Sequence, residues 1–99
     1  LWTRLGQACG TVAVDCTASD EVAADYPQLL ARGIAIAAAN KHAGARPLDF
    51  YRDLQAQAQR TPWRYETTVG AAIPVLGPLR DLRLRGERVL GIRGLLSGS

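Results

Sequence analysis

Ninety-nine residues, 47% of them apolar and 21% charged, make one small globular unit or a piece of a larger one and exclude a chain disordered throughout. No apolar stretch is long enough to span a bilayer and the N-terminus has no signal-peptide pattern, so no membrane partner is expected. The net charge of +3 is uneven, with five arginines against Asp81 and Glu87 in residues 76–99 and balanced charge before them.

The two cysteines, Cys9 and Cys16, are too few for a disulfide scaffold and point to a reducing, cytoplasmic setting. The chain opens at Leu1 and closes on Ser97-Gly98-Ser99 straight after an apolar run, so it reads as a piece of something longer.

The first element in chain order is Thr11 to Cys16, a short apolar run after Gly10 with the pattern of a strand buried on both faces, and Cys16 reads as a buried small hydrophobe. Thr17-Ala18-Ser19-Asp20 supplies N-cap chemistry for a helix that carries Val22, Tyr26, Leu29 and Leu30 on one face and ends at Gly33. Pro27 predicts a kink there, or a one-turn start followed by a restart with the proline early in the new helix. Ile34 to Ala39 is a second strand, and strand–helix–strand over this length is a parallel βαβ unit.

A polar loop is expected from Asn40 to Arg46. Pro47 then opens a helix to about Gln59 with Leu48, Tyr51, Leu54 and Ala58 inward, and Trp63 to Thr67 reads as a third strand. Pro74 to Arg85 is a further helix with Val75, Leu79 and Leu82 inward, followed by a strand from Val89 to Leu96. The fold class is therefore α/β with parallel strands.

Ligands of open parallel sheets gather at the carboxyl ends of the strands. Thr17-Ala18-Ser19 and Asn40-Lys41 stand at two such ends, and Lys41 is the chain's one lysine. An ammonium there suits phosphate, carboxylate or a developing alkoxide, while the plain alternative is a solvated loop lysine. Asp15, at the end of a buried strand, is expected to accept hydrogen bonds from neighbouring backbone amides. In Tyr65 to Val75 a carboxylate precedes a small-residue turn and a proline. Glu66 and the turn carbonyls would suit a hard cation, and a tight turn that permits close packing accounts for the same residues.

Val14-Asp15-Cys16-Thr17-Ala18-Ser19, Asn40-Lys41, Tyr65-Glu66 with Val69-Gly70-Ala71 and Pro74, and Gly94-Leu95-Leu96-Ser97-Gly98-Ser99 together resemble homoserine dehydrogenase, over nearly the whole chain. The style is similar to the dehydrogenase half of a bifunctional aspartokinase–homoserine dehydrogenase. The resemblance implies residues 1–65 as the latter half of a Rossmann-like NAD(P)-binding domain, and residues 66–99 as the start of an α+β substrate and dimerisation domain. It implies interconversion of L-homoserine and L-aspartate 4-semialdehyde with NADP or NAD, in threonine, methionine and isoleucine biosynthesis, by a homo-oligomer.

By position, the resemblance puts Thr17, Ala18, Ser19, Asn40 and Lys41 at the cofactor, with Lys41 between cofactor and substrate as the catalytic residue. Gly98 and Ser99 would border the amino-acid substrate, and Glu66 with the carbonyls of Val69, Ala71 and Ile73 would hold a monovalent cation, usually Na⁺. Ala38-Ala39, His42, Ala72 and Ser99 depart from the usual residues; the methyl of Ala72 is harmless if its φ is negative and strained otherwise. No G-x-G-x-x-G follows a strand, so the chain by itself is expected to be inactive. A nucleic-acid surface on Arg80, Arg83, Arg85, Arg88 and Arg93 is not expected, since these cluster at a helix end without stacking aromatics. A non-catalytic interaction module is the remaining alternative. His42 as a metal ligand is not expected, for want of a second ligand at suitable spacing.

Overall fold

Residues 10–95 are described in the computed structural model. Three parallel strands, β1 (Val12–Asp15), β2 (Ala35–Ala38) and β3 (Trp63–Arg64), form one sheet in that order. Asp15 stands opposite Ala38 and Ile36 opposite Trp63, so the carboxyl ends of β1 and β2 lie level.

Between β1 and β2 run two short helices, α1 (Asp20–Ala24) and α2 (Tyr26–Ala31). Pro27 sits in the first turn of α2, where a missing N–H needs no intrahelical partner, so of the kink and the restart the chain adopts the restart. Gly33, at φ 78°, then reverses the chain: Ile34 N–H donates to Leu29 O and Gly33 N–H to Leu30 O, both at 3.0 Å. That pairing satisfies two terminal carbonyls and delivers the chain into β2.

After β2 come α3 (His42–Ala45) and α4 (Leu48–Gln57), and after β3 a 3₁₀ turn over Glu66–Thr68 and α5 (Leu76–Leu84). Tyr26, Leu29, Leu30, Ile34, Ile36, Ala43, Leu54 and Trp63 form the buried core between the helices and one face of the sheet.

Several expectations are corrected. The first strand is buried on one face only, for Val12 and Val14 are 57% and 71% exposed while Asp15 points inward. Within the described residues the helices cover a single face, so an unbroken apolar run does not here mean two covered faces. The strand stops at Asp15, so Cys16 begins the loop and is exposed, not buried. The polar segment after Asn40 contains the turn of helix α3, β3 is shorter than Trp63 to Thr67, and Leu48 and Leu82 face outward.

No strand forms over the described part of Val89 to Leu96; Leu90, Ile92 and Leu95 are exposed there. A strand needs a hydrogen-bonded neighbour, and no sheet edge reaches this segment. No helix among the described residues is long and apolar enough to cross a membrane.

Candidate functional site

The carboxylate of Asp15 ties together the polar ends of β1 and β2. Its Oδ1 accepts from the Thr17 N–H at 2.8 Å and the Thr17 hydroxyl at 2.7 Å. Its Oδ2 accepts from the Tyr26 hydroxyl at 2.6 Å and from Asn40 Nδ2 at 3.0 Å. Burial pushes the Asp15 carboxyl up, but the hydrogen bonds from Tyr26, Asn40 and Thr17 outweigh it and hold the group below its ordinary value of 3.8. The expected partner, a nearby backbone amide, is present, and three side-chain donors join it.

Asn40 is 2% exposed and completes the link. Its Nδ2 also donates to the Ser19 carbonyl at 2.8 Å, and its Oδ1 accepts the His42 N–H at 3.1 Å. Thr17 Oγ1 accepts the Ser19 N–H at 3.2 Å, and Ser19 Oγ caps α1 by accepting the Val22 N–H at 3.2 Å. Thr17, Ser19 and Asn40 are thus drawn into one network, with Thr17, Ala18 and Lys41 exposed around it. The Asn40 amide is turned inward, so its side chain shapes the loop that carries Lys41. Arg46 braces the same region, donating to Asp20 Oδ2 at 2.7 Å with its guanidinium 5.0 Å from the Phe50 ring. His42 faces Asp20 at 3.8 Å, and the described residues hold no group of three or more His, Cys, Asp or Glu suited to a metal.

The Tyr26 hydroxyl was the part missed in the sequence, where Tyr26 reads only as a core aromatic. A tyrosine in a core position carries a hydroxyl that must find a partner, and that is the available signal.

The Glu66 carboxylate turns onto the start of α5. Oε1 accepts the N–H groups of Val75 and Leu76 at 2.9 and 3.0 Å, and Oε2 that of Gly77 at 2.9 Å. α5 has no side-chain cap of its own at Val75, so an acid nine residues upstream satisfies its first amides and complements its dipole. The loop between them reverses on two consecutive left-handed residues, Gly70 at φ 76° and Ala71 at φ 50°. Ala71 and not Ala72 carries the positive φ, so the methyl of Ala72 is harmless. A Cβ on Gly70 would lie 2.9 Å from Val75 Cγ2 and 3.3 Å from the Ile73 carbonyl oxygen. Gly70→Ala is therefore expected to cost about 1–3 kcal/mol, read as a lowered urea midpoint. Val69, Ala71 and Ile73 all belong to this loop; Gly98 and Ser99 lie outside the described residues.

A broad concavity of about 1010 Å³ lies elsewhere, between the Tyr51, Trp63 and Tyr65 rings and α5. Its outer wall is the exposed segment through Ile92, and its lining includes Glu66 but none of Thr17, Ser19, Asn40 and Lys41.

Residues 3–67 match the family model described as homoserine dehydrogenase, NAD binding domain. The chain is 44% identical over 92 residues to a chloroplastic bifunctional aspartokinase/homoserine dehydrogenase 1 of Arabidopsis thaliana, covering 90% of this chain and 10% of that protein. It is 36% identical over 101 residues to bifunctional aspartokinase/homoserine dehydrogenase 2 of Escherichia coli K12, covering 100% of this chain and 12% of that protein. With the homoserine dehydrogenase of Paracoccidioides brasiliensis it shares 38% over 90 residues, 89% of this chain and 24% of the relative. The chain thus spans about a tenth of the length of the bifunctional relatives. A crystal structure of a Candida auris protein of unknown function superposes with a TM-score of 0.72 at 38% identity, covering 77% of this chain and 22% of that one.

Proposed function

The chain belongs to the homoserine dehydrogenase family through its NAD-binding domain, and from that premise we propose that it forms the nicotinamide side of an NAD(P)-dependent homoserine dehydrogenase. The observation that carries this is the joining of Thr17, Ser19 and Asn40 at the carboxyl ends of adjacent parallel strands, with Lys41 exposed beside them. A rigid, internally satisfied base under exposed polar groups fits a dinucleotide, because the groups that meet it are held before it arrives.

When bound, the dinucleotide supplies or takes the hydride. Thr17, Ala18 and Ser19 border it, and Asn40 holds the loop on which Lys41 stands. Reduction of an aldehyde builds negative charge on its oxygen. The Lys41 ammonium stabilises that charge and assists proton delivery. The substrate pair is L-homoserine and L-aspartate 4-semialdehyde, with Gly98 and Ser99 beside the amino-acid end, and the enzyme belongs to amino-acid biosynthesis.

Residues 1–65 are read as the latter part of the nucleotide domain and residues 66–99 as the opening of a substrate and dimerisation domain. The family match ending at residue 67 supports this, as does the absence of buried residues in α5. The exposed Leu90, Ile92 and Leu95 support a covering partner in the complete protein, a homo-oligomer on this reading. The loop from Glu66 to Ile73 is read as the holder of a monovalent cation such as Na⁺. Three amides leave one acceptor position on Glu66, and the carbonyls of Val69, Ala71 and Ile73 supply the rest. Sodium chloride in place of choline chloride is expected to raise the melting temperature of the complete protein, and Glu66→Gln to remove that gain. Equal melting in both salts removes the cation from the reading.

The central test is homoserine-dependent NAD(P)⁺ reduction by the complete protein, wild type beside Lys41→Ala. The expected result is activity in the wild type and a loss of about a hundredfold in the variant. A wild type inactive with both cofactors would overturn the dehydrogenase reading and leave an interaction module.

A further inference from the structure

We propose that Asp15 is a positioning residue for the dinucleotide, setting the two loops that border it through Thr17, Tyr26 and Asn40. The proposal rests on the dehydrogenase reading above and adds a residue to it that lies beneath the site.

Asp15 is 6% exposed, so a bound dinucleotide meets the groups around it and not its carboxylate. Its four hydrogen bonds reach three separate pieces of chain: the loop after β1, the first turn of α2 and the end of β2. Oδ1 folds the loop back at Thr17, which turns the exposed Thr17-Ala18 pair over the strand end. Oδ2 holds Asn40, whose own Oδ1 and Nδ2 then take the His42 N–H and the Ser19 carbonyl. The backbone on either side of Lys41 is thereby tied to the same carboxylate that sets Thr17.

Only an acceptor on both oxygens can serve here. Oδ1 faces an N–H and a hydroxyl, and Oδ2 faces a hydroxyl and an amide nitrogen. An asparagine must turn an NH₂ toward one of those sets and meet donors with a donor. One of the two loops is then released while the other stays held. Displacements below an ångström at such a site reach the bound ligand, since its affinity depends on groups held before it arrives.

The test uses the complete enzyme and titrates NADPH by its fluorescence against wild type, Asp15→Asn and Tyr26→Phe, well below each melting midpoint. Asp15→Asn is expected to raise the NADPH Kd about tenfold in fully folded protein. Tyr26→Phe keeps the ring and withdraws one of the two donors on Oδ2, and is expected to raise the Kd about threefold. A lowered melting temperature with an unchanged Kd in Asp15→Asn would show a merely structural carboxylate and overturn the proposal. Should that variant not fold, Tyr26→Phe decides alone, and a Kd equal to the wild type's is the overturning result. Wild-type protein that binds neither NADPH nor NADH sinks the dehydrogenase reading along with the proposal. Wild-type binding with unchanged variants sinks the proposal alone.

Discussion

Trp63→Ala is expected to remove about 3–5 kcal/mol of stability, a large part of the roughly 5–15 kcal/mol available to an ordinary domain. Trp63 is the inward residue of a strand only two residues long, and it is 5% exposed. Its ring meets Tyr65 at 4.2 Å, Tyr51 at 5.9 Å and Tyr26 at 6.3 Å between centroids. Those rings come from β3's own end, from α4 and from α2, so the indole packs against three elements at once. An alanine leaves a void that fixed backbone on several sides cannot close. Among the described residues the Trp63 Nε1–H has no hydrogen-bond partner, so Trp63→Phe, which keeps a ring and removes that donor, is expected to cost much less. Urea unfolding followed by far-UV circular dichroism separates the two. Equal losses in both variants would mean that something other than ring volume holds this part of the core.

Asp15→Ala is expected to cost about 2–4 kcal/mol by a different route. It strands the buried Tyr26 hydroxyl and one amide hydrogen of the buried Asn40, together with the Thr17 donors. The loss has a pH signature. The folded-state carboxyl lies below its ordinary value of 3.8, so its contribution is full above that value and disappears as pH falls through the lowered one. Wild-type stability should therefore fall on acidification below about pH 4, and Asp15→Ala should flatten that limb while leaving the neutral plateau lower. An acid limb with the same slope in both proteins would assign the effect to other carboxylates. The alkaline limb has the opposite sign. Burial, followed by the hydrogen bond and charge of Tyr51, pushes Tyr65 from 10.0 up to about 12, against Gln55 and Arg80. Its contribution is full below about pH 10 and is lost as pH climbs toward 12.

How far the site was legible follows from the range of the forces at work. Thr17 to Asp20 reads as a cap because the Ser19 hydroxyl needs only the amide three residues on. Asn40-Lys41 reads as a strand end because apolar character stops there. That Asp15 and Asn40 share a hydrogen bond is not readable, since 25 residues separate them and only the level register of β1 and β2 brings them together. The Glu66 carboxylate is a similar case. Its residue type suits a cation or a helix N-terminus equally, and the fold of the loop through Gly70 and Ala71 sends it to the amides of Val75, Leu76 and Gly77.

The sequence by itself determined the order of the three strands, the interruption of the first helical stretch at Pro27 and the turn at Gly33. Each of these depends on backbone preference and contacts within a few residues. It also carried the family, because four short motifs stand in register along the chain. Only the tertiary structure decided which face of β1 is covered, that Cys16 lies in the open, and that the described part of Val89 to Leu96 makes no strand. Burial and sheet pairing need a neighbour distant in sequence, and an apolar run is the same run whether or not that neighbour is there.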